Sequence, residues 1–465
     1  MKKQIFGLIF AGLLACTPLS AAVTATTVWE FRDDAGDLQN GSCFDPSVAV
    51  PGTDYSQQAS SQYNGTDLVI DGADNTIVTS ATHNFVAADE GNCIRVSAGT
   101  GFTVGWYVIT DTNANAATLS SAVGTVGSTG GTYRVGGAAL LNSTNADDYF
   151  EAFVAGNTGW VRGGSHSAGE SISVANAGTT TSTMKIIGYN ATRGDVPTGA
   201  SRPTISYGAN LFILGAYFDM SNVIITGTQA SGYNTGAGSA VRNVKAANTS
   251  TGNGIVAGSG TKIINSEITS SGGVALSFTS AIGVRVHGSY IHDSVNCVTS
   301  STGDYATFTF NVLDNCSTAG FDFGSTSTDH SLLFNTIYGA ATPAGTGIKG
   351  NTTQGTNWVI FGNIISGWTT GIELAAASDS VFANYNNFYN NTTNRTNISA
   401  GANDLALDPG FADGPGGDFR VGVNMKAACL PSTFPGSATT AYTDCGAVQR
   451  IEGGGVPVVG GPVGY

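Results

Sequence analysis

Arg285 and His287 stand two residues apart in a run of alternating apolar and polar residues, which puts both side chains on one face of a strand. His292 and Asp293 follow just beyond them, while Lys262 and Glu267 occupy the preceding run of the same kind and Asp314 the next. A base beside a cation is what proton abstraction followed by β-elimination needs. The base takes a proton next to a carboxylate whose charge has been neutralised. Arg285, His287, Lys262 and Asp314 are therefore candidate catalytic residues, with Glu267, His292 and Asp293 as candidates for holding substrate. The competing reading makes Arg285 and His287 solvated positions on an outer face, since residue types without geometry define no site.

The elements that must position these residues recur. Lys262 to Ile268, Val284 to Ile291, Phe308 to Leu313, Leu332 to Ile337, Val359 to Ile364 and Val381 to Asn386 share one short pattern. With Asn265, Gly288, Asn311, Asn335, Gly362 and Asn386 as register marks, the spacings are 23, 23, 24, 27 and 24 residues. A near-constant period in this range specifies a solenoid. Apolar and polar residues alternate over each run, and Gly, Asn, Ser, Thr and Asp fill the intervals, so each repeat is built of short strands. Asn and Gly at the mark suit a bend that needs left-handed backbone angles, and stacked coils then place Asn over Asn. The expected fold is all-β: coils of parallel strands about 4.8 Å apart, wound about one apolar interior.

The repeated apolar-x-apolar-x-x-Asn-x-Ile pattern resembles the pectate-lyase-like right-handed parallel β-helix superfamily over roughly residues 137–425. Thr158 to Gly164 and Met184 to Asn190 look like its early coils. Leu407 to Phe411, Gly417 to Val421 and Asp444 to Ala447 are similar to the C-terminal closing segment of its bacterial surface members. The resemblance implies architecture and leaves activity open, because this superfold hosts lyases, hydrolases, epimerases, tailspikes and noncatalytic adhesins. The Asn-Thr-Asp, Asp-Asp and Gly-His-Gly motifs of polygalacturonase-like members are missing from the repeats, and so is an Asp cluster of the pectate-lyase calcium type. Asp147-Asp148 precedes the first clear coil and suits a cap or a short helical turn before Phe150.

Lys2 and Lys3, the apolar run Ile5 to Ala15 and the small residues Ser20 to Ala22 have the order of an export signal, read as residues 1–22. Leu13 to Cys16 also resembles a lipobox, so lipid attachment at Cys16 is the alternative to free secretion or periplasmic residence. Six further cysteines fall into local pairs, Cys43 with Cys93, Cys297 with Cys316, and Cys429 with Cys445. Disulfides in an oxidising compartment account for them, with buried free thiols as the other reading of the middle pair.

The chain has 465 residues, 65 Gly, 18 Lys plus Arg and a net charge of −14. Cations this sparse argue against nucleic acid as a partner and leave little with which to hold a polyanion directly. An acidic polysaccharide stays open because calcium can bridge it to an acidic protein. Asp33, Asp34 and Asp37, near Asn40 and Asp45, are the candidate calcium ligands.

Residues 23–136 break the repeat and read as a small N-terminal β domain inserted after a capping strand near Val28 to Phe31. The β-helix spans 137–425, a closing segment 426–452, and a Gly- and Pro-rich tail 453–465. Trp368 and Tyr389 are expected to project outward, where sugars could stack on them. Two functions follow from these residues: a secreted or surface protein that binds extracellular polysaccharide or mediates adhesion, and a polysaccharide lyase. Sparse titratable groups favour the first. The oligomeric state is left open.

Overall fold

The computed structural model describes residues 25, 28–31, 63–90, 93–135, 146–191, 193–324, 327–339, 344–351, 357–377, 380–425 and 445–448. The export signal, the calcium candidates Asp33, Asp34 and Asp37, Cys43, Cys429 and the tail lie outside these residues.

Two long sheets form the parallel β-helix that the repeat and the resemblance imply. The first has eleven strands, running in order from Val28–Phe31 through Thr158–Arg162, Met184–Tyr189, Phe218–Ser221, Ala240–Arg242, Lys262–Ile264, Arg285–His287, Thr307–Thr309, Ser331–Leu333 and Trp358–Phe361 to Val381–Asn384. Each strand pairs in parallel with the strand one coil away, as Val286 does with Ile263 on one side and Phe308 on the other. The second sheet carries the remaining strands of each coil, among them Glu267–Ser270, Tyr290–Ser300, Val312–Phe323 and Thr336–Tyr338.

Alternation explains why these short runs wind round one core. In the first sheet Val286, Phe308, Leu332 and Ile360 point inward and are fully buried, and in the second Ile268, Ile291, Leu313 and Ile337 do the same. Each such side chain contributes roughly 1.5–3 kcal/mol by leaving water. The residues between them face outward. Cys297 and Cys316, on adjacent coils of the second sheet, are buried and joined by a disulfide.

The bend between the sheets corrects the register mark. The left-handed residue is Asn265, Gly288, Phe310, Phe334, Gly362 and Tyr385 in successive coils, with φ between 48° and 69°. The wholly buried ladder is the next residue along: Ser266, Ser289, Asn311, Asn335, Asn363 and Asn386. The sequence reading mixed these two adjacent positions, because Asn and Gly suit the bend while Asn and Ser suit the ladder. On either position the spacings are 23, 22, 24, 28 and 23 residues. Each ladder amide donates to the side chain of the next coil, Asn311 N to Asn335 Oδ1 at 2.9 Å and Asn335 N to Asn363 Oδ1 at 2.8 Å. The ladder ends at Asp404, which accepts Asn386 N at 2.9 Å.

A six-stranded antiparallel barrel occupies residues 63–135. It has its own apolar core, including Leu68, Ile94, Tyr107 and Val135, and its first and last strands meet where Tyr63 pairs with Val135. A short helix, Ala146–Glu151, contains the Asp147-Asp148 pair, as the helical-turn reading expected. It places Tyr149 and Phe150 in the β-helix core. Among the described residues no helix is long and apolar enough to cross a membrane.

Candidate functional site

The residues that the sequence groups together separate onto two faces. Lys262, Arg285 and His287 are exposed on the outer face of the first sheet. Glu267, His292, Asp293 and Asp314 lie past the bend, on the second sheet. The single constellation expected from the sequence is therefore corrected: the left-handed turn at Asn265 and Gly288 sends the chain into a different sheet between the two sets.

On the first face, Lys262 stands directly beside Arg285 across adjacent coils, and Ile264 stands beside His287. Arg242 pairs with Ile264 in the same row as His287, and Lys185 lies further along in the row of Lys262, beside Asp219. All four Lys and Arg side chains are exposed. Among the described residues none of them has an ion-pair partner. His287 Nδ1 lies 2.8 Å from Thr309 Oγ1 on the next coil. Four of the 18 Lys and Arg residues thus line one face, which composition could not reveal. Sequence reasoning missed Lys185 and Arg242 because their runs fall before the clearest repeats. The strand register, extended back three coils, is the signal that finds them.

Beyond His287 the face turns aromatic. His287 meets Phe310 edge-on at 5.8 Å, Phe310 stacks on Phe334 at 5.3 Å, and Phe361 packs against Phe334, Phe382 and Tyr385. Phe382 is 55% exposed, and Tyr305, on the turn before Thr307–Thr309, is 59% exposed. Trp368, expected outward, is instead fully buried, with its indole N–H donating to Ile337 O at 3.1 Å. The ring is apolar enough to fill a core that several glycines leave open, and the backbone carbonyl satisfies its one donor. Tyr389 is 37% exposed.

The second set is a hydrogen-bonded chain. Lys245 Nζ donates to Glu267 Oε1 at 2.7 Å, and the His292 ring bridges Glu267 at 3.3 Å and Asp293 at 2.8 Å. Asn315 Nδ2 donates to Asp293 Oδ1 at 2.6 Å. Burial alone would raise the Glu267 carboxyl, but hydrogen bonds from His292 and Lys245 outweigh it and hold the group at about 2. Asp314 accepts a hydrogen bond from the Tyr290 hydroxyl at 2.8 Å. Here burial wins, and the Asp314 carboxyl is pushed up to about 6. Each member is satisfied by the others, so this set is built as a structural network. The buried His330, stacked on Phe323 and pushed down to about 4 by burial, is likewise a core ring. Among the described residues no group of three or more His, Cys, Asp or Glu is placed to hold a metal ion.

No family model and no curated protein matches this chain. Among solved structures it is similar to pectate lyase Pel9A, at 13% identity and a TM-score of 0.41, covering 64% of this chain and 89% of that one. A complex of XylC with xylose gives 8% identity and a TM-score of 0.35, covering 76% and 75%. The catalytic unit of an α-1,3-glucanase from Streptomyces thermodiastaticus gives 11% and 0.29, covering 74% and 90%. The parallel β-helix itself rests on the strand register described above.

Proposed function

We propose that the protein binds an extended anionic polysaccharide along the outer face of its first sheet, outside the cytoplasm. The observation that carries this reading is the pairing of Lys262 with Arg285, exposed and in direct register on adjacent coils. Like charges directly opposite on a sheet face repel, so the arrangement costs stability unless an anion bridges it. Lys185 and Arg242 extend the positive face along the helix axis, and the Phe361 and Phe382 rings continue it with surfaces on which sugar rings can stack. A sugar polymer lying along the axis would meet both. The Cys297–Cys316 disulfide supports an oxidising compartment.

His287 favours a second reading, lyase action. It is exposed on the same face as Arg285, which supplies the base-beside-cation arrangement for proton abstraction.

One experiment separates the readings. Purified protein is titrated with polygalacturonate, alginate, a neutral glucan and DNA as a polyanion control, while ultraviolet absorbance follows any unsaturated product. Binding to an acidic polysaccharide should weaken roughly tenfold in a Lys262→Ala/Arg285→Ala variant, since exposed charge pairs contribute about 0.2–1 kcal/mol each. Equal affinity of that variant and the wild type would sink the proposal. Rising absorbance abolished by His287→Ala would establish the lyase reading.

A further inference from the structure

The outer face of the second sheet at Tyr290, Val312 and Tyr338 is partly covered, with Val312 buried and both tyrosines half-buried. Residues 409–425 fold back along it as a hairpin, tied by Ala412 N to Arg420 O at 3.0 Å, Asp418 N to Asp413 O at 2.8 Å and Gly422 N to Pro409 O at 2.8 Å. Phe411 and Phe419 clasp the Tyr338 ring at 5.9 and 5.4 Å, and Phe419 and Ala447 bury Val312. At the tip, a Cβ built on Gly417 would lie 3.2 Å from the Tyr290 hydroxyl. That hydroxyl donates to Asp314, a carboxylate only 8% exposed at the edge of this apolar contact.

We propose that the hairpin 409–425 is a pH-sensitive cover on the second sheet, held closed while Asp314 is neutral and loosened when Asp314 ionises beside it. The groups acting on Asp314 are Tyr290, His292 and Asp293 from the preceding coil, and Asp314 in turn acts on Tyr338 of the following coil; Glu267 acts on Tyr290, and Asp413 of the hairpin acts on Tyr338. His292 is the only one that can be positive, and it is already shared between Glu267 and Asp293. Burial raises the Tyr338 phenol, and the charges of Asp314 and Asp413 raise it further, which places both carboxylates near the clasped ring. An ionised Asp314 therefore adds charge to a contact made of Phe411, Phe419 and Tyr338, with a second carboxylate on the cover itself.

The sign follows from the direction of the shift. Burial raises the Asp314 carboxyl from 3.8 to about 6, against the hydrogen bond from Tyr290 and the charge of His292. A raised group contributes its full stabilisation below its ordinary value and loses it as pH rises through the folded value. Closure is tightest below about 3.8 and weakens as pH rises from there through about 6. Two units set an upper limit on the order of a hundredfold for the change in the closing equilibrium.

The test uses the full chain and hydrogen exchange, read as protection factors for amides in 409–425 from about pH 4 to about pH 7, a range that brackets the shift. Amides of Arg285 and Thr307 in the first sheet serve as internal references. Hairpin protection should fall by up to a hundredfold across the range while the references hold. Asp314→Asn should remain protected throughout. Tyr290→Phe should move the transition to higher pH, because it removes a hydrogen bond that favours the ionised form. Flat hairpin protection in the wild type overturns the proposal, as does a pH-dependent loss that survives in Asp314→Asn. Should that variant fail to fold, an unmoved transition in Tyr290→Phe overturns it instead.

Discussion

Asn335 is fully buried, yet every polar atom of its side chain is used. Its Oδ1 accepts the Asn311 amide at 2.9 Å, and its Nδ2 donates to Phe308 O and to Asn363 Oδ1, both at 3.0 Å. The left-handed bend turns these backbone groups away from both sheets, so only a ladder side chain can satisfy them. Truncation leaves buried donors and acceptors unpaired. Asn335→Ala should cost about 2–4 kcal/mol, the cost of one or two such groups, measured by urea denaturation. A loss below about 1 kcal/mol would mean that water replaces the amide. The sequence marked Asn335 correctly as a repeat position but could not tell a bend residue from a ladder residue. Phe310 and Phe334, which take left-handed angles at the bend, show why: stacking between coils holds aromatic residues where local preference alone would place Asn or Gly.

At the scale of elements, adjacent coils are held by more than strand pairing. The disulfide between Cys297 and Cys316 links the long strands Tyr290–Ser300 and Val312–Phe323 across a sequence separation of 19 residues. Closing a loop of that length lowers the entropy of the unfolded chain by an amount equivalent to about 3 kcal/mol. A Cys297→Ala/Cys316→Ala variant should unfold at correspondingly lower urea concentration, while the strands of the first sheet stay intact. If stability were unchanged, the coil pair would be carried by packing alone. The same strands explain the division of the sequence-predicted site. A strand displays alternate residues on one face, so Arg285 and His287 stay together; the sequence marks a bend at Gly288, but no periodicity states that the residues beyond it belong to a second sheet.

For the molecule as a whole, the barrel at 63–135 is a unit with its own core and with ends that meet. Such a unit can be inserted into a loop without disturbing the strands on either side, since the chain leaves near where it entered. A fragment spanning residues 61–137 should fold alone, giving a cooperative thermal transition and dispersed amide resonances. An unfolded fragment would show that the barrel depends on the β-helix. The β-helix needs both the strand Val28–Phe31 before the barrel and the coils after it, because that strand forms the first edge of the eleven-stranded sheet beside Thr158–Arg162.

The order of residues was sufficient by itself to establish a solenoid of short strands and its approximate coil length, and it offered the Cys297–Cys316 disulfide as one of two readings that the structure decides. These are properties of period and composition, and they repeat often enough to be read without coordinates. Three things were decided only in three dimensions. The Lys185, Arg242, Lys262 and Arg285 face exists because parallel register aligns residues from separate coils. Trp368 is interior because the facing glycines leave a space that a large ring fills, which outward alternation does not foresee. The covering of Tyr290 and Asp314 arises because residues 409–425 turn back along the helix axis. Periodicity describes each coil against its neighbours, whereas a segment that crosses several coils has no period to read.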